Sequence, residues 1–181
     1  MTEPTIPPLG ASDHVDGPVG AGLELVMYGD FQCPYCSAAQ PILRRVRNRL
    51  AGRLRFAFRH FPLADVHPDA QRAAEASEAA AAQGAFWPMH DALYAAGGVL
   101  DLDAVVAAAR RTGVDAERVR AELADATHAS RVAADLESGR SAGLTGTPAF
   151  FVNGELHVGG YDAQSLIAAL ERRGAAGPGR S

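Results

Sequence analysis

The spacing of apolar and polar residues alternates between strand-like and helical periods along this chain. The run LELVMYG, Leu23 to Gly29, is short, apolar and closed by a glycine, the pattern of a buried strand. From Cys33 to Leu50 the apolar positions take helical spacing: Cys36, Ala39, Ile42 or Leu43, Val46 and Leu50. Pro34 suits the first turn of that helix, where no N–H is needed, and Pro41 predicts a kink further in. Gly52 predicts the stop. RLRFAFRH then alternates strictly, with Leu54, Phe56 and Phe58 on one face and Arg53, Arg55 and Arg59 on the other. Strand, helix and strand in that order predict a parallel βαβ unit.

From about Pro68 to Ala142 strand signals vanish and alanine dominates. Four or five amphipathic helices are predicted, separated by Gly84, Gly97-Gly98 and Gly113, with Asp101 and Asp115 at N-cap positions. Strand character returns at Ala149–Val152, followed by the hairpin signal Asn153-Gly154 and a second strand, Glu155 to Val158. After Gly159-Gly160, Asp162 can cap a last helix with Leu166, Ile167 and Leu170 on its apolar face. The first 22 residues, rich in Pro, Gly and Asp, read as a loose leader, and the chain from Gly174 as a disordered tail. The string is βαβ, a helical block, then ββα: an α/β sheet interrupted by a helical bundle.

Composition narrows the function classes. With 48% hydrophobic and 21% charged residues in 181, the chain can bury a core without disulfide staples. A net charge of −4 argues against a polyanion binder, and the arginines from Arg44 to Arg59 read as a solvated helix side and strand face. Every basic residue is arginine, which we read as codon bias. No run approaches the ~18 apolar residues of a membrane span. MTEPTIPPLGASDHVDGPVGAG has neither a basic nor an apolar signal region. A cytoplasmic location is therefore expected, with an exported chain whose signal has been removed as the alternative.

Two cysteines, Cys33 and Cys36, are all the chain has. As a staple they would close too short a loop to restrain the unfolded chain. As zinc ligands they would need two more, and His60 and His67 are the only candidates near in sequence. As a redox pair they are well placed. Cys33 lies at a helix N-terminal edge, where backbone N–H groups and the helix dipole favour a thiolate, and Cys36 lies one turn on, within reach of it. Cys33 is then the exposed nucleophile and Cys36 the more buried resolving thiol. Pro34-Tyr35 sets the stiffness of the loop. Gly146-Thr147-Pro148 precedes a strand, and a cis bond there would turn the Thr147 backbone outward for a substrate peptide to pair with. His60, His67 and His90 read as packing or capping histidines, and Phe86, Trp87 and Tyr94 as the contact of the helical block with the redox face.

DFQCPYC, HFPL followed by HPDA, QGAFWPMHDALY and TGTPAFFVNG occur in that order, and together they resemble the DsbA-like branch of the thioredoxin superfamily over about residues 14–172. The resemblance implies an α/β thioredoxin fold with an inserted α-helical domain. The expected parts are a leader at 1–22, fold segments at 23–64 and 144–173, an insert at 65–143 and a tail at 174–181. It implies catalytic Cys33 and Cys36, a cis-proline at Pro148, and substrate contacts from Thr147, Pro148, Pro34 and Tyr35. The expected activity is thiol–disulfide exchange with protein substrates and a separate redox partner, with no metal or organic cofactor. A glutathione-dependent isomerase of the same branch and a peptide-binding, chaperone-like module are the alternatives. Relatives often carry a buried acid six positions before the first cysteine. Met27 stands there, and Asp30 is the carboxylate that could serve instead.

Overall fold

The computed structural model describes residues 5–175, which form two compact units. The first comprises the chain up to Tyr28, Ala38–Arg59 and the chain from Ser138 on. It holds β1 (His14–Asp16), nearly all of β2 (Leu23–Gly29) and of β3 (Leu54–His60), the later turns of α1 (Pro34–Arg49), β4 (Ala149–Val152), β5 (Glu155–Leu156) and α7 (Ala163–Ala175).

The sheet order is β1-β3-β2-β4-β5. The Leu23 N–H donates to Arg53 O at one end of β2, and the Phe61 N–H to Gly29 O at the other, so β2 and β3 run parallel, as the βαβ pattern predicts. β4 runs antiparallel to β2, with Leu25 opposite Val152 and Met27 opposite Phe150. Central β2 is buried on both faces, Leu25 through Tyr28 being fully covered. Ala39, Leu43 and Val46 form the buried stripe of α1, continued by buried Leu50 just past its end, and Leu166 and Leu170 form that of α7, which packs on β4. Asn153 and Gly154 both take positive φ, 49° and 84°, the two-residue turn that matches strand twist. β5 ends at Leu156, two residues before the predicted Val158, and Val158 is exposed.

Three expectations change in this unit. The leader is not loose where it is described: His14–Asp16 pairs antiparallel with β3, His14 opposite Phe58 and Asp16 opposite Phe56. Gly17 permits this approach, because a Cβ there would lie 2.0 Å from the Leu54 carbonyl oxygen. Residues 1–4 lie outside the described chain. Covering β3 in this way also buries Arg59, which the alternation assigned to a solvated face. Its Nε donates to Asp13 Oδ1 at 2.7 Å and its Nη1 to the Tyr28 hydroxyl at 3.2 Å. Finally, α7 continues through Gly174, whose backbone passes against the Leu23 side chain. The rest of the predicted tail lies outside the described residues.

The second unit comprises Gly29–Ser37 and His60–Glu137. It holds the first turn of α1, α2 (Ala70–Ala81), α3 (Phe86–Ala95), α4 (Leu102–Arg111), α5 (Ala116–Ala124) and most of α6 (Ala129–Ser141). Alanines on α2 let α3, α4 and α5 pack closely around it, over a core that includes Met89, Leu93, Leu100, Val105 and Val119. The Asp101 carboxylate accepts from Ala104 N at 2.9 Å, and that of Asp115 from Glu117 N and Arg118 N at 3.1 and 3.0 Å, the expected caps. After the redox loop the two units divide at 59/60 and 137/138. The redox loop, 29–37, joins the helical unit because its side chains are bonded to residues 63–98.

Candidate active site

β2 ends at Gly29 and α1 begins at Pro34, so Asp30, Phe31, Gln32 and Cys33 make the turn between them. Asp30 organises it. Its side chain is fully buried, and Oδ1 accepts the N–H groups of Gln32 at 2.7 Å and Cys33 at 3.1 Å. Oδ2 accepts the Leu63 N–H at 2.9 Å and bonds His67 Nδ1 at 2.8 Å. Gln32 extends the anchorage: its amide donates to Gly98 O at 3.1 Å, and its Oε1 accepts the Asp69 N–H at 2.8 Å. Phe31 packs among the rings of Tyr94, His90 and His60, at centroid distances of 5.0, 5.7 and 6.1 Å. A short loop between strand and helix is thus held by backbone, side-chain and ring contacts at once.

Both cysteines are buried, Cys33 at 3% exposure and Cys36 at 0%, while Pro34 and Tyr35 between them are exposed. The expected order, with Cys36 the deeper, stands. The expectation of an exposed Cys33 does not. Its N–H is drawn back onto both the carbonyl and the carboxylate of Asp30, which pulls the residue into the unit and leaves Pro34-Tyr35 outermost.

Tyr94 on α3 is a protic neighbour of the pair. Its hydroxyl reaches the Asp30 carbonyl at 3.4 Å and hydrogen-bonds the Cys36 side chain. Burial pushes this phenol well above its ordinary pKa, and Cys36, Asp30 and Cys33 push it the same way, so it stays protonated and able to donate. Met27, where relatives often carry an acid, is fully buried, with the Gln40 amide 4.0 Å from its sulfur. His60 and His67 are bonded to separate carboxylates, His60 Nε2 to Glu78 at 2.7 Å and His67 to Asp30. His60 further belongs to a buried cluster in which Asp135 accepts its N–H and pairs with Arg131 at 2.6 Å.

The fold therefore keeps Pro34 and Tyr35 with the cysteines in the second unit. Thr147 and Pro148 belong to the first, where the Thr147-Pro148 peptide bond is cis and leads directly into β4. The roles of Asp30, His67 and Tyr94 are finer than the sequence reading gave. Their signals were present, an Asp at a capping distance before the helix and an HP dipeptide after the second strand, but nothing in the spacing pairs them.

A family model described as a DSBA-like thioredoxin domain matches residues 24–171, and the chain belongs to that family. Its fold is the α/β thioredoxin fold with helices inserted between β3 and β4. Among solved structures, a thioredoxin-like oxidoreductase from Silicibacter pomeroyi DSS-3 is 25% identical with a TM-score of 0.81, covering 91% of this chain and 93% of that one. BdbD from Bacillus subtilis is 21% identical with a TM-score of 0.87, covering 96% and 98%, a likeness of fold. Among curated proteins, the Na(+)/H(+) antiporter NhaA 1 of Salinispora arenicola (strain CNS-205) is 47% identical over 158 residues, 87% of this chain but 24% of that protein. The chain thus spans about a quarter of the length of the curated relatives it matches.

Proposed function

We propose that Cys33 and Cys36 exchange disulfides with protein substrates. The Cys33 thiolate attacks a substrate disulfide, forming a mixed disulfide and releasing one substrate thiolate. Cys36 then attacks the Cys33 sulfur, closing the Cys33–Cys36 disulfide and releasing the second thiolate, so two electrons pass from the pair to the substrate. In reverse, the pair oxidises a substrate dithiol. Thr147 and Pro148 would present backbone to the substrate, and exposed Pro34 and Tyr35 would touch it. The dithiol is the electron carrier, with no metal or organic cofactor in the scheme.

The observation that carries this reading is a buried cysteine pair one helical turn apart at the N-terminal end of α1, in a DSBA-like thioredoxin domain. Reduction of insulin disulfides tests it. Cys33→Ser should abolish turnover, and Cys36→Ala should accumulate a mixed disulfide visible without reductant on a gel. Retained turnover in Cys33→Ser would sink the mechanism. A purely peptide-binding role predicts no turnover in the parent and unchanged client binding in the doubly substituted protein.

Direction depends on the potential of the pair. A cytoplasmic setting calls for a reducing pair, an exported one for an oxidising pair, and equilibrium against glutathione separates them. Because the matching stretch in the curated relatives is part of a Na(+)/H(+) antiporter, a transporter of that kind is a client to test, with Cys36→Ala as the trap.

A further inference from the structure

We propose that His67 is a positioning residue for the redox pair: bonded to Asp30, it supplies the positive charge that offsets the carboxylate beside Cys33 and so eases loss of the Cys33 proton. The inference rests on the exchanging Cys33–Cys36 pair proposed above and says what tunes it. Asp30 is bonded directly to the nucleophile's backbone, its Oδ1 accepting the Cys33 N–H at 3.1 Å. Three backbone N–H groups can only donate to it, and the fourth partner is the imidazole. When the Asp30–His67 pair holds one proton between them it is neutral, whichever atom carries that proton. When it holds none, a full negative charge sits in a buried site against the Cys33 backbone, where it opposes a second negative charge on sulfur.

The other groups around this pair do not replace His67 as the counter-charge. Asp69, which accepts from Gln32, is acidic and already pairs with Arg72. Tyr94 is a neutral phenol whose hydroxyl reaches the Asp30 carbonyl and is hydrogen-bonded to the Cys36 side chain. The ring of Phe31 faces His60, whose Nε2 is engaged with Glu78. His67 alone of these groups combines a bond to the Asp30 carboxylate with partial solvent access, its side chain being 19% exposed against 0% for Asp30.

The sign follows. Compared with a lone Asp30 carboxylate, the neutral Asp30–His67 pair favours the Cys33 thiolate, hence the reduced form, and raises the reduction potential. Losing the histidine charge raises the Cys33 pKa and lowers the potential. The test measures thiolate absorbance at 240 nm against pH, together with equilibrium against glutathione, for the parent, His67→Gln, His67→Arg, Asp30→Asn and the Asp30→Asn/His67→Gln double variant. Gln keeps a donor for Asp30 and removes only the charge. We expect His67→Gln to move the Cys33 titration upward and to lower the equilibrium constant for reduction about tenfold, which is about 30 mV for a two-electron couple. His67→Arg should lie near the parent, and His67→Gln should have no further effect once Asp30 is Asn. An unmoved titration in His67→Gln, or the same shift with and without the Asp30 charge, would overturn the proposal. If the parent fails to exchange disulfides at all, the functional reading falls, and the absorbance titration still decides the coupling.

Discussion

Arg59 and Asp13 are enclosed, at 5% and 6% side-chain exposure, and they survive there because each pairs with the other. Burial works against the guanidinium charge, yet the bonds from Asp13 and Tyr28 hold its pKa above the ordinary arginine value, so it stays charged at any usable pH. The Nη2 group spends its remaining capacity on Asp13 Oδ2 and the Pro7 carbonyl, each at 3.0 Å. Removing one partner leaves the other buried without its paired opposite charge. Asp13→Ala is therefore expected to cost about 3 kcal/mol or more in urea unfolding, and Asp13→Ala combined with Arg59→Met to recover a good part of that loss. A double variant no better than the single one would mean that the ion pair is not what holds this corner. The alternation of RLRFAFRH could not reveal this, because the partner acid lies 46 residues upstream in a segment without apolar period.

Elements were legible where their stabilisation is local. The caps at Asp101 and Asp115, the Asn153-Gly154 turn and the helices of the Ala-rich block are decided by residues within a few positions of one another, and the structure has them. β1 was not legible: three residues, His-Val-Asp, become a strand only because β3 offers a free edge. Nor was the allegiance of the redox loop, since its bonds to Leu63, His67, Asp69 and Gly98 span 33 to 66 residues. The α5 cap gives a prediction at this scale. Asp115 bonds two N–H groups of its helix, and its own backbone N–H donates to Gln83 at 2.8 Å. Asp115→Ala should lose about 1 kcal/mol in urea unfolding, and Asp115→Asn much less. Both should leave the redox equilibrium unchanged, and a shifted potential in either would show that the helical unit is coupled more tightly to the cysteines than these contacts imply.

For the molecule as a whole, the redox pair and the folding equilibrium are linked. The potential of the folded pair differs from that of the unfolded pair by the same free energy that separates the stabilities of reduced and oxidised protein, about 1.4 kcal/mol for each 30 mV. A Cys33–Cys36 disulfide closes a very short loop and so restrains the unfolded chain little. The folded state, in contrast, addresses the reduced pair with the N-terminus of α1, a protonated Tyr94 hydroxyl on Cys36 and the Asp30–His67 pair behind Cys33. The first two favour a thiolate over a disulfide, which carries no charge to stabilise, and the third keeps the Asp30 charge from opposing that thiolate. The reduced protein should therefore unfold at a higher urea concentration than the oxidised protein. The gap should narrow in His67→Gln, and in Tyr94→Phe, which keeps the ring and removes the donor. Should the oxidised form prove the more stable, these groups would be serving the disulfide, and the pair would be poised to reduce its substrates instead of oxidising them.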